Sequence, residues 1–595
     1  LTSNAAPAPA FPGLIDRHWR RITLILWVGI ALWLTFDRWN TVRWLSLSDT
    51  DDNMRLMQVR ALIAGQDWFD LRQYRLNPPG GFDMHWTRLV DLPIAALILA
   101  LKPLVGTAWA ERLACGIAPL IPLSVTMVAL AAAVRRLVSV YAWPLALLLL
   151  MMATTTMLMF MPVRIDHHGW QLASLAVTMA GLADPQHRRG GASVGLASAF
   201  SLTIGLEMLP YAAGAGAIIA LRWVWDRAEA PRVIAYGGTL AVGCSLGYLG
   251  FASHANAVAR CDALTPVWLS VMVTAGVLLC VLGLLSPASR AARLGLGLVA
   301  GGVIVAGFAG LFPQCLGRPE QVSPELQRNW LDNIREAKPV YTHPFNVYFP
   351  VIMLPVIGLV GAAVATARAR GTAAFPAWSA VLLFTLLAGG LLLWQARASA
   401  AAQLLGVPGA VALAWIILPR LLASTSVLVR VFGTVAAFLL LSGGFAGFVV
   451  KWLPVSQTTP LIKSAARAGA TCPSYSALNP LNRLAPQVIF TFIDLGPRLI
   501  TMTHHSAIAG PYHRNGAAIL DVQHAFGGSP DQFRAIARRH GAQLLLICPN
   551  MAESTVYRAR NKGGFYDQLA RGKVPGWLTP VPLPARSPLK LWRIS

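Results

Sequence analysis

Apolar runs long enough to cross a bilayer recur along most of this chain, separated by short polar connections. They fall near 22–38, 115–134, 143–162, 170–184, 192–207, 208–223, 233–252, 266–286, 294–313, 347–366, 376–394, 400–418 and 431–452. In lipid such runs satisfy their backbone polar groups only as helices, so the pattern predicts 13 transmembrane helices. A further run, LPIAALILALKPLVG (92–106), is short and carries Lys102-Pro103 midway. It is predicted to lie along the interface or to re-enter rather than to cross. After 452 the pattern changes. From 453 to 595 polar residues and turns dominate, and the apolar runs shrink to strand length (QVIFTFI, AQLLLIC). That predicts a C-terminal α/β domain.

Basic residues give the helical array a direction. Arg17, Arg20 and Arg21 precede the first run and put residues 1–21 in the cytoplasm, with 1–13 a floppy tail. No AxA-type cleavage site follows the run, so it is read as a retained span. Arg135/Arg136, Arg188/Arg189, Arg222/Arg227, Arg290/Arg293, Arg368/Arg370 and Arg420/Arg430 occupy every second connection. All can be cytoplasmic together only if 92–106 does not cross. The expected location is the bacterial inner membrane, with 22–452 as the membrane domain. Loops 39–91, 163–169 and 314–345 and the domain 453–595 then face the periplasm.

Composition agrees with a polytopic helical membrane protein. Of 595 residues, 55% are hydrophobic and 12% charged, against about 25% charged in soluble domains. Mean hydropathy is +0.56. Disorder and collagen-like structure are excluded. A net charge of +24 would suggest nucleic acid in a soluble protein. Here the arginines follow the positive-inside rule, and no nucleic-acid signature is present. The partner is the lipid bilayer. The seven cysteines form no CxxC pair. Cys261, Cys315, Cys472 and Cys548 all fall outside, where disulfides persist. Cys261–Cys315 and Cys472–Cys548 are the natural pairs, with four free thiols the alternative.

Candidate chemistry collects on the outer side. The first loop opens with Ser48-Asp49-Thr50-Asp51-Asp52, three acids in four positions of an acid-poor chain. The second reads Arg164-Ile165-Asp166-His167-His168. Asp166 and His168, two apart, suit Mn²⁺ or Mg²⁺ held with another acid and a phosphate; an Asp166–Arg164 pair with the histidines capping a helix is the equal alternative. Glu336 lies in a loop that otherwise reads as a solvated amphipathic helix. Glu207, in GLEMLP, is expected to pair with a buried Arg or Lys. Arg397 sits between two spans, placed to hold a lipid phosphate or to snorkel.

This order of motifs resembles the GT-C superfamily of integral-membrane glycosyltransferases, in particular the catalytic subunit of oligosaccharyltransferases. The resemblance covers most of the chain. It implies transfer of a sugar or oligosaccharide from a polyprenyl phosphate or pyrophosphate carrier to a glycan, lipid or protein acceptor on the outer face, with inversion. It implies catalytic roles for Asp52, with Asp51 its rival, and for Arg164 and Glu336. It implies a divalent metal (Mn or Mg) on Asp166, His168 and Asp52, and the donor phosphate on Arg397 and His167. His168 stands where the family carries a second acid. The family's WWD tripeptide is absent; Thr491-Phe492-Ile493-Asp494-Leu495-Gly496-Pro497 occupies a comparable place, which points away from an asparagine sequon as acceptor. Asp494, Tyr512 and His513 would then line the acceptor side. The other readings are a lipid or glycolipid transporter or flippase, which predicts internal repeats and midplane acids, and a glycan-binding scaffold.

Overall fold

The computed structural model describes residues 10–452 and 459–595. The start of the expected tail and the junction at 453 lie outside the described residues. Among them, 9 helices are long and apolar enough to cross a membrane, or up to 10 if the bent pair Val429–Leu441 and Gly444–Trp452 counts as one. The other predicted spans are helical but depart from the simple pattern. The run 143–162 breaks at Ala153 into Trp143–Met152 and Thr154–Leu158. There Thr156 donates to the Ala400 carbonyl (2.7 Å), and the Thr155 N–H donates to Gln403 Oε1 (3.0 Å). Helix His168–Leu182 is short, and His187–Ile204 opens on His-Arg-Arg and is rich in glycine and serine. The bent pair turns through 93° at Gly443, whose φ of +75° lies in the left-handed region that glycine adopts freely. The run 92–106 forms a helix, Asp91–Val105, that folds back against Thr107–Ile117 across Gly106.

Small residues set how closely the helices approach. Phe345–Arg368 packs along Ser399–Leu422, with Gly358 against Gly406 and Gly361 against Gly409. A Cβ on Gly358 or Gly361 would overlap the opposing carbonyl oxygen. This is the small-residue packing that membrane helices use in place of a hydrophobic driving force. Gly361→Leu is expected to push the pair apart and cost about 3 kcal/mol. Thermal unfolding in detergent measures this, and an unshifted midpoint would contradict the contact.

The basic connections meet at one end of the bundle. Arg136 pairs with Asp184 (2.9 Å), and Arg232 Nη2 donates to the Asp184 carbonyl (2.7 Å). Arg222 Nη1 donates to the Leu182 carbonyl (2.7 Å), and Arg293 Nη2 to that of Val224 (2.9 Å).

At the opposite end sits a five-stranded sheet. Its strands are β1 (Val488–Phe490), β2 (Ser506–Ala507), β3 (Leu544–Ile547), β4 (Leu578–Val581) and β5 (Lys590–Ile594), in the order β2-β1-β3-β5-β4. β1 runs parallel to β2 and β3; β5 is antiparallel to β3 and β4. β3 is buried at all four positions, as expected of a central strand covered on both faces. The sheet's core is shared with the first loop: Met54, Leu76, Phe82, Met84 and Trp86 are buried in it. Leu76 bridges Ala507 in parallel. The Ala507 N–H donates to the Arg75 carbonyl (3.0 Å), and the Asn77 N–H to the Ala507 carbonyl (2.9 Å). The loop therefore covers an edge that would otherwise expose unpaired backbone groups. Disulfides join Cys261 to Cys315 and Cys472 to Cys548.

Candidate active site

The acidic turn of the first loop is first of all a helix cap. Asp49 is the N-cap of Thr50–Ile63. Its Oδ1 accepts the Asp51 N–H (3.3 Å), while Asp52 Oδ2 reaches back to the Asp49 N–H (3.2 Å). This reciprocal arrangement satisfies backbone donors that a helix start leaves open. It also turns both carboxylates toward the second loop. There Arg164 Nη1 lies 2.7 Å from Asp49 Oδ2 and 3.3 Å from Asp52 Oδ2, and Nη2 lies 2.8 Å from Asp166 Oδ2. The Asp166 N–H donates to Asp52 Oδ1 (3.0 Å). One guanidinium thus holds three carboxylates from two loops. The preceding residue, Val163, has φ +70°, a conformation costly for a β-branched side chain and typical of functional turns. Its N–H donates to the Cys115 carbonyl (2.9 Å).

Asp166 Oδ1 accepts the His168 N–H (3.1 Å) at the start of His168–Leu182. The next turn of that helix brings Gln171 beside Glu207. Glu207 pairs with His167 Nε2 (3.1 Å) and accepts from Gln171 Nε2 (2.7 Å). Its expected Arg or Lys partner is thus replaced by an imidazole and an amide. His167 is buried, and its Nδ1 has no hydrogen-bond partner among the described residues.

These groups border a cavity of about 520 Å³. Asp51, Arg164, His167, His168, Glu336, Arg397, Tyr512 and His513 line it, from stretches far apart in the chain. Asp52 and Asp166 stand behind it, fully and almost fully buried. Asp494 is not among the lining residues. Its backbone N–H and that of Ile493 both donate to the Glu553 carboxylate (2.9 Å each). Glu336 stands 4.0 Å from Arg397 at the cavity rim, apart from the Arg164 cluster. Their loops are tied by the Ala396 N–H donating to the Lys338 carbonyl (2.7 Å). Tyr512 donates to the Thr50 carbonyl (2.9 Å) and stacks on Phe82. His513 Nε2 lies 2.6 Å from Asp262, which Arg514 also grips (2.7 Å). Apolar side chains, among them Leu172, Val347, Val351 and Leu391, also line the cavity. Sequence reasoning missed His85 and His343 and gave Glu207 only a pairing role; all three line the cavity. Only Glu207, a lone acid between apolar runs, carried a signal.

The electrostatics are lopsided. Burial pushes the Asp51 carboxyl well above the usual carboxylate range, with Asp49 and Asp166 adding repulsion. Asp52 is pushed up to about 8, first by burial and against the pull of Arg164. Among the described residues no three His, Cys, Asp or Glu side chains converge as metal ligands do. Asp52, Asp166 and His168 as placed do not fit a divalent ion. Arg164 stands where the two carboxylates meet, and Asp52 spends both oxygens on backbone donors.

No family model matches this chain, and no curated protein does. Solved structures do. An archaeal oligosaccharyltransferase, AglB from Archaeoglobus fulgidus, in complex with an inhibitory peptide and a dolichol-phosphate, superposes with a TM-score of 0.66 at 14% identity, over 95% of this chain and 73% of that one. The Archaeoglobus fulgidus enzyme tethered to an acceptor peptide containing the NVT sequon gives 0.64 at 14%, over 96% and 73%. Its complex with Zn and sulfate gives 0.58 at 13%, over 94% and 72%. At these identities the likeness establishes the fold alone: the chain shares the architecture of the archaeal oligosaccharyltransferase AglB.

Proposed function

We propose that this protein is a membrane glycosyltransferase that moves a sugar or oligosaccharide from a polyprenyl phosphate or pyrophosphate to an acceptor hydroxyl, with inversion, on the outer face of the bacterial inner membrane. The observation that carries the reading is one cavity whose lining joins apolar side chains (Leu172, Val347, Val351 and Leu391) to Asp51, Arg164, His167 and Arg397. An isoprenoid-borne head group needs both kinds of lining. The shared fold adds support, since the similar archaeal enzyme binds a dolichol-phosphate and an acceptor peptide.

In this reading Arg397 and His167 take the donor phosphate, and the role that the resemblance gives Asp52 passes to Asp51. Asp52 is completely buried and hydrogen-bonded on both oxygens; Asp51 lines the cavity. The acceptor oxygen attacks the anomeric carbon, its proton goes to Asp51, and the bond to the phosphate oxygen breaks with its electron pair leaving on the carrier. Arg164 supplies the positive charge that keeps Asp49, Asp52 and Asp166 together. Glu336 orients Arg397. Tyr512 and His513 face the acceptor; Asp494 does not line the cavity.

The test is reconstitution in liposomes with polyprenyl-phosphate- or pyrophosphate-linked sugars, following release of free carrier in the presence of glycan, lipid and peptide acceptors. Release with one donor supports the reading. No release, with movement of intact donor between leaflets, would replace it with the transporter. The Mn²⁺ or Mg²⁺ expected from the resemblance has no step here. Transfer is expected to proceed undiminished in EDTA. Loss in EDTA with recovery on adding Mn²⁺ would overturn Arg164 as the cation.

A further inference from the structure

The end of the bundle away from the cavity carries a second feature. A groove of about 730 Å³ opens there, with Arg20, Arg135, Arg136 and Arg189 at its rim. These four guanidinium groups face two carboxylates. Arg135 pairs with Asp16, and Arg136 and Arg189 share Asp184. Arg20 has no carboxylate or hydrogen-bond partner among the described residues; it lies over the Trp19 ring, 5.3 Å from its centroid. The rim therefore has an excess of positive charge.

Below the rim the groove turns apolar, lined by Leu24, Val125, Val128 and Val177. It does not stop there. A second, almost wholly apolar groove of about 520 Å³ shares Val125 and Val177 with it and continues to Trp170, Leu196 and Phe251. Along Leu120–Leu137, Val125 lies 11 residues before Arg136, about 16 Å at 1.5 Å per residue. The positive-inside bias alone explains arginines at this end. It does not explain a trough leading from them along the membrane-facing side of the helices.

An anionic head joined to long apolar chains is the one chemistry that matches both parts. We infer that this trough binds an acidic phospholipid, with its phosphate among Arg20, Arg135, Arg136 and Arg189 and an acyl chain along Val125 and Val177. Basic pockets between membrane helices hold such head groups by the same combination. No residue lining these grooves also lines the transfer cavity.

The experiment uses the full chain in detergent and measures retained lipid by native mass spectrometry after adding phosphatidylglycerol or phosphatidylcholine. Phosphatidylglycerol is expected to be retained preferentially. Arg20→Gln, which breaks no ion pair, is expected to weaken it about fivefold. Val177→Trp, which fills the trough without changing charge, should displace it as well. Carrier-release activity of Arg20→Gln should match that of the unaltered protein. Equal retention of phosphatidylcholine would overturn the site, as would undiminished binding in both variants. So would inorganic phosphate that competes equally well, which would mark a bare anion site.

Discussion

Arg164→Ala is expected to abolish transfer and to destabilise the protein by about 3–5 kcal/mol, the cost of leaving buried carboxylates without the guanidinium they share. The size of the effect follows from geometry. Asp52 and Asp166 are buried, and both pair with one guanidinium that also binds Asp49. The loop bearing Arg164 is then free to part from the helix start it is pinned to. Arg164→Lys should rescue part of the stability and little of the activity, because one ammonium does not span three carboxylates with the fork that a guanidinium provides. Thermal unfolding in detergent, read alongside carrier release, separates the two losses. An Arg164→Ala protein with an unaltered midpoint would remove the guanidinium from the centre of the site.

Asp51→Asn should lower turnover about 10²–10⁴-fold, the usual worth of a positioned base, while leaving the fold intact. Asp51's side chain caps nothing and bonds nothing among the described residues; its neighbours Asp49 and Asp52 form the cap. The pH profile makes the assignment specific. A base must be ionised to accept a proton, and burial and the adjacent carboxylates hold the Asp51 pKa well above the ordinary range. Activity should therefore rise with pH through that elevated pKa and level off above it. It should fall as pH drops below it, at pH values where an ordinary aspartate would still be ionised. Asp51→Asn should lose that limb. A variant that keeps both rate and limb would move the base elsewhere, with Glu207 and His513, which also line the cavity, next in order.

Much of this was legible in the chain because lipid is an unforgiving solvent. Backbone groups that cannot reach water must pair within the run that carries them, so long apolar runs announce helices. Acid clusters at the edges of such runs likewise announce themselves, since charge there needs a reason. What the acids do was not legible. Ser48 to Asp52 reads as a reactive cluster, yet Asp49 and Asp52 serve a helix start, and only Asp51 of the three acids lines the cavity. Arg164 reads as one more motif residue and turns out to be the hub. His85 and Asp262 lie in stretches with no pattern at all, and they matter through His513, more than 250 residues downstream of Asp262.

By itself the sequence determined the helical membrane array, its basic end, the polar C-terminal sheet and the side on which the acids gather, because these follow from local hydropathy and charge that no distant residue can alter. Tertiary structure alone decided which carboxylate meets the cavity, that the first loop completes the sheet's edge, and that glycines let two helices touch. Those outcomes depend on side chains and backbones brought within a few ångströms across hundreds of residues, a distance that one-dimensional order does not encode.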